Sequence, residues 1–85
     1  MRDAVTRERA QLGLQYLEDA VVGLLTDHPD GLTPAQVAER LELGMGLAPD
    51  RQAAMARSLL DLLVHSGRIL QPDSGERYRD NPHRL

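Results

Sequence analysis

Apolar residues recur in the first third of the chain at steps of three and four. Ala10, Leu14, Leu17, Val21, Leu24 and His28 share one face when the chain is wound as an α-helix, and Ala20 and Leu25 widen that stripe. The spacing predicts a first helix that starts between Asp3 and Arg9, where Asp3 or Thr6 is placed to cap it. It should stop at Asp27-His28-Pro29-Asp30-Gly31, because proline drives the preceding His28 out of helical geometry and Gly31 supplies a turn. Before Leu12 this helix has little to bury, so its start is expected either to fray or to use a partner.

Leu32 follows as a single apolar residue, and Thr33-Pro34-Ala35-Gln36 then reads as a helix start. Thr33 is placed to accept from the Gln36 amide, Gln36 to reach back, and Pro34 to occupy the first helical position. Val37, Ala38 and Leu41 form the inner face of this short second helix. The loop Leu43-Gly44-Met45-Gly46-Leu47-Ala48 breaks it, with Leu43 and Leu47 expected to tuck into the core. Pro49 and Asp50 open a third helix whose inward face is Ala53, Ala56, Leu60, Leu63 and Val64, closed by Ser66-Gly67. Arg68–Gln71 is then a strand, Pro72-Asp73-Ser74-Gly75 a turn, and Glu76–Arg79 the returning strand, with Asp80-Asn81-Pro82 ending the pairing. The expected architecture is one domain over residues 1–85, mainly α with a small β-hairpin, with 1–9 and 80–85 as candidates for disorder.

Composition narrows the chemistry. With 85 residues the chain is large enough for one modest core and too small for a deep enclosed active site. It has no cysteine, no tryptophan and no phenylalanine, so the core must be built from Leu, Val, Ala and Met. Absence of cysteine excludes disulfides and thiolate chemistry and fits a cytoplasmic protein. No apolar run approaches the roughly 20 residues that span a bilayer, and the charged start does not read as a signal peptide. The formal net charge is −3. All 10 basic residues are arginine, a bias that base composition of the coding sequence explains as readily as function. Arginine nonetheless suits bidentate recognition of phosphate and guanine.

The order helix, extended residue, short helix, loop, longer helix, glycine and hairpin resembles the winged helix-turn-helix domain. Residues 31–41 (GLTPAQVAERL) and 60–70 (LDLLVHSGRIL) carry the resemblance, which runs from Leu14 to Tyr78. One departure is the loop Leu43–Ala48, longer than the tight turn of the simplest members. The resemblance implies a third helix that enters the major groove and a hairpin, the wing, that touches the DNA backbone. Carried onto this chain, it makes Arg51, Gln52, Arg57 and Ser58 candidates for base and phosphate contact, and Arg68, Arg77 and Arg79 candidates on the wing. Arg77 and Arg79 alternate with Tyr78, so the two arginines should stand outside while the tyrosine points into the core. Arg84 adds to the basic count of this region.

Met55, Leu59 and Leu62 extend the apolar arc of the third helix past its inner face, which marks a surface for a second subunit or a larger partner. Catalysis has little support. His28, His65 and His83 are scattered, no metal-ligand spacing is present, Gly44-Met45-Gly46 lacks the rest of a phosphate-binding loop, and the serines have no base and acid at hand. The expectation is a non-enzymatic protein without cofactor or metal that binds double-stranded DNA, as a homodimer, in transcriptional control or DNA metabolism. The alternative is a protein-interaction adaptor on the same fold.

Overall fold

The computed structural model describes residues 2–82, and side chains from Gly13 onward. Three helices, α1 (Arg2–Thr26), α2 (Pro34–Leu41) and α3 (Pro49–His65), precede a hairpin of β1 (Ile69–Leu70) and β2 (Arg79–Asp80). The strands are antiparallel, with Ile69 opposite Asp80 and Leu70 opposite Arg79. This is the mainly helical fold with a small hairpin that the periodicity indicates. The backbone of α1 continues to Arg2, past the expected start, whereas the caps proposed at Asp3 and Thr6 lie outside the described side chains. The radius of gyration is 13.5 Å. A compact chain of this length would have about 12 Å, so the molecule is elongated.

The start of α2 is as expected. Thr33 Oγ1 accepts from the Gln36 amide at 3.3 Å, and Gln36 Oε1 accepts from the Thr33 amide at 3.0 Å. Its end is not made by a glycine. Glu42 takes the left-handed conformation, φ 55°, and its amide donates to the carbonyls of Ala38 and Glu39. The third helix opens on Pro49 with Ala48 at its cap position and no side-chain hydrogen bond there. It closes through Gly67 at φ 78°, after which the Arg68 amide returns to the Leu63 carbonyl at 3.0 Å.

Among the described residues, twelve apolar side chains form the buried core. Val21, Val22 and Leu25 come from α1, Val37 and Ala38 from α2, and Ala56, Leu59, Leu60 and Leu63 from α3. Leu32, Ile69 and Tyr78 close it from below. Burying each large aliphatic side chain contributes about 1.5–3 kcal/mol before the cost of ordering it. The inward face of α1 is therefore rotated from the expected stripe: Leu24 is only partly buried, while Leu14 and Leu17 are exposed. Leu43 packs against the core as expected, but Leu47 does not and stands exposed in the loop.

The hairpin also differs from the expected strand bounds. Pairing reaches Asp80, and the Asn81 amide still faces the Arg68 carbonyl at 3.4 Å, so the ladder lies later in the chain than Glu76–Arg79. The reason is Leu32. It exchanges two backbone hydrogen bonds with Tyr78, at 3.0 and 2.8 Å, and so occupies the edge of Tyr78 that faces away from β1. A single extended residue between α1 and α2 thus acts as a third strand.

Gly31 enters this bridge at φ 85°, and a Cβ there would lie 3.0 Å from Arg77 Cβ, Arg79 Cγ and the Tyr78 carbonyl oxygen. Gly31→Ala should therefore lower stability by about 1–3 kcal/mol, from left-handed strain and contact combined. Glu42→Gly should do the reverse, raising stability by about 0.5–1 kcal/mol by relieving a side chain held at positive φ. Thermal melts of the two variants beside the parent chain check both signs.

Candidate interaction surface

The outward side of α3 carries the residues expected to meet DNA, and most already have a partner within the chain. Arg57 pairs with Glu76 at 3.1 Å. Arg68 bridges Glu18 at 3.4 Å and Asp19 at 2.7 Å, fastening the turn after α3 to the middle of α1. Arg79 pairs with Asp73 at 2.8 Å. Gln52 donates to the Gly44 carbonyl at 3.1 Å and so holds the loop before α3. Ser58 donates back to the Ala54 carbonyl at 3.1 Å. Of the candidate arginines, Arg51 and Arg77 combine exposure with the absence of any ion pair among the described residues. Arg84 lies outside them.

Charge over this side is balanced. From Asp50 to Asp80 the chain carries Arg51, Arg57, Arg68, Arg77 and Arg79 against Asp50, Asp61, Asp73, Glu76 and Asp80. These exposed pairs exchange readily with other ions, because each contributes only about 0–1 kcal/mol. They nonetheless leave no basic field to draw a polyanion from a distance.

Two titrating groups fix the hairpin. The carboxyl of Asp73 is held below the usual aspartate range, first by the hydrogen bond from Arg79 and then by the Arg77 amide. It also caps the turn by accepting from the Gly75 amide at 2.9 Å. Tyr78, 3% exposed, lies in the core as expected, and its hydroxyl donates to Asp61 at 2.8 Å. Burial raises its pKa, and the adjacent Asp61 carboxylate raises it further. Asp61 is thus the anchor of the hairpin on α3, a role that helix winding alone did not reveal.

The apolar arc of α3 has a different fate. Met55 and Leu62 are 47% and 55% exposed, while Leu59 is buried beneath them and belongs to the core. Together with Leu14 and Leu17 of α1 and Leu43 of the loop they line a groove of about 320 Å³ whose one polar residue is Ser58. The residues that sequence periodicity placed in the core, Leu14 and Leu17, instead form the second wall of the predicted partner surface. A second depression, of about 450 Å³, lies between α2 and the start of α3, edged by Glu39 and Glu42.

The histidines stand apart among the described residues. Nδ1 of His28 lies 2.8 Å from the Leu24 carbonyl at the end of α1, a local hydrogen bond, and His65 is exposed. His83 lies outside the described residues. Among the described residues no group of three His, Cys, Asp or Glu could hold a metal ion, and no helix is long and apolar enough to cross a membrane.

The Tyr78 site has a pH signature. The unfolded chain releases the phenolic proton near pH 10, while the folded chain holds it to higher pH. The stability from this group is full below pH 10 and is lost as pH rises through the folded value. Tyr78→Phe should cost about 1 kcal/mol at neutral pH through the lost hydrogen bond, and should flatten the alkaline decline. Denaturant midpoints measured between pH 8 and about 11 check both effects.

Comparison of the chain with protein-family models, with curated proteins and with solved structures finds no match in any of the three.

Proposed function

We propose that this domain is a protein-interaction module built on a winged-helix frame, with the groove between α1 and α3 as its docking surface. The observation that carries the reading is the groove itself: Leu14, Leu17, Met55 and Leu62 gather on one side with a single polar neighbour. Eight large apolar residues are exposed on the described surface, and these four meet in one place. Scattered apolar residues are ordinary on protein surfaces, whereas a contiguous patch marks a binding site.

DNA binding is the second reading, and it rests on Arg51 and Arg77. Both are exposed and without an ion pair among the described residues, one at the start of α3 and one on the hairpin. In a winged-helix arrangement these positions would meet a base edge and the sugar-phosphate backbone. We rank it below the protein-interaction reading because the neighbouring arginines are matched by carboxylates across the same surface.

Two measurements separate the readings. Fluorescence anisotropy with a generic duplex at about 50 and 200 mM salt should show no saturable binding. An environment-sensitive apolar dye such as anilinonaphthalene sulfonate should bind the folded chain, and Leu62→Glu should remove most of that signal without lowering the melting temperature. Micromolar duplex binding that falls steeply with salt and is lost in the Arg51→Ala, Arg77→Ala double variant would reverse the ranking.

A further inference from the structure

We infer that the occupant of the groove is α1 of a second copy of this chain, so that two molecules pair about a two-fold axis through their first helices. The inference rests on the groove being a docking surface and goes further by naming what fills it.

The molecule presents a ridge and a groove side by side, each incomplete. Among the described side chains of α1, Val21 is the first that is buried. From Gly13 to Ala20 every side chain is exposed or half-buried. The ion pairs of this segment with Arg68 and its place as a groove wall still leave Tyr16 and parts of Leu14 and Leu17 open to water, an apolar surface that a partner helix can cover. Leu14 and Leu17 of that segment already form one wall of the groove, and Tyr16 beside them is 77% exposed. An isologous pairing satisfies both needs at once, because each copy contributes the helix the other lacks.

Area and close approach agree with this occupant. The exposed parts of Leu14, Tyr16, Leu17, Met55 and Leu62 amount to roughly 500 Å² on one copy, so a symmetric pair covers about 1,000 Å², the scale at which specific interfaces begin. Glu18 and Asp19, the carboxylates of this part of α1, are already paired with Arg68 of the same chain. That single guanidinium offsets one of their two charges on each copy. Gly13 has no atom within 4 Å of where a Cβ would stand. Glycine inside an exposed helix costs about 1 kcal/mol relative to alanine, and here it opens room for a second backbone beside Leu14 and Leu17.

Sedimentation equilibrium of the full chain tests the pairing. The parent should be a dimer at tens of micromolar, and Leu17→Glu and Leu62→Glu should each weaken it on the order of a hundredfold while circular dichroism shows the fold retained. The chain lacks cysteine, so a single introduced thiol reports its own position. Gly13→Cys should be joined between copies by a short bis-maleimide, whereas Ser74→Cys on the hairpin turn should not. A monomer at high concentration overturns the self-pairing and leaves the groove to a different protein. A dimer that survives both glutamate variants overturns the groove as an interface altogether. Linkage at Ser74→Cys without linkage at Gly13→Cys overturns the assignment to α1.

Discussion

The pair of backbone hydrogen bonds between Leu32 and Tyr78 is the constraint on which the rest of the arrangement depends. It joins the turn after α1 to the hairpin and so brings the two ends of the fold together. With the amide and carbonyl of Tyr78 turned to Leu32, the backbone groups of Arg79 and Asn81 face β1, in keeping with Leu70 opposite Arg79 and Ile69 opposite Asp80. The same pairing points the Tyr78 ring into the core, where its hydroxyl meets Asp61 of α3. The approach is close enough that position 31 must be glycine, since the Cβ and Cγ of two arginines and a carbonyl oxygen surround it. One extended residue therefore fixes the hairpin, the seat of α3 and the turn chemistry together.

Local signals were legible wherever the chemistry is local. Thr33 with Gln36, Pro34 and Pro49 at helix starts, and Gly67 at a helix end all act on backbone groups within a few residues, and all are where the pattern puts them. Non-local choices were not. A stripe of Leu14, Leu17, Val21 and Leu24 is as good a helical face as Val21, Val22 and Leu25, and only the position of α3 selects between them. The later place of the returning strand, Arg79–Asp80, has the same origin: Leu32 is distant in sequence from Tyr78, and alternation alone gives no sign of its intervention. The end of α2 at Glu42 runs against residue preference, so no propensity argument would have placed it there.

The surface shows why a list of arginines is a poor guide to a binding face. Counting residues gives a hairpin slightly richer in arginine than in carboxylate, but geometry assigns Arg57, Arg68 and Arg79 to Glu76, Glu18 with Asp19, and Asp73. These pairs hold elements in place and leave a surface without a sign. The apolar arc of α3 behaved in the opposite way. It is interrupted by the burial of Leu59, yet it gained two leucines from α1, so the patch is broader than one helix alone would make it.

The two tyrosines sit in opposite circumstances, one enclosed against Asp61 and the other open to water beside Leu17. With no tryptophan in the chain, they are its only phenolic chromophores. Near-ultraviolet circular dichroism arises where such a ring is held asymmetrically, so the native protein carries an internal gauge of its own tertiary order at Tyr78. Tyr16 contributes little while its ring turns freely and would add to the spectrum once immobilised. The molecule thus reports folding and association through separate rings, without an added label.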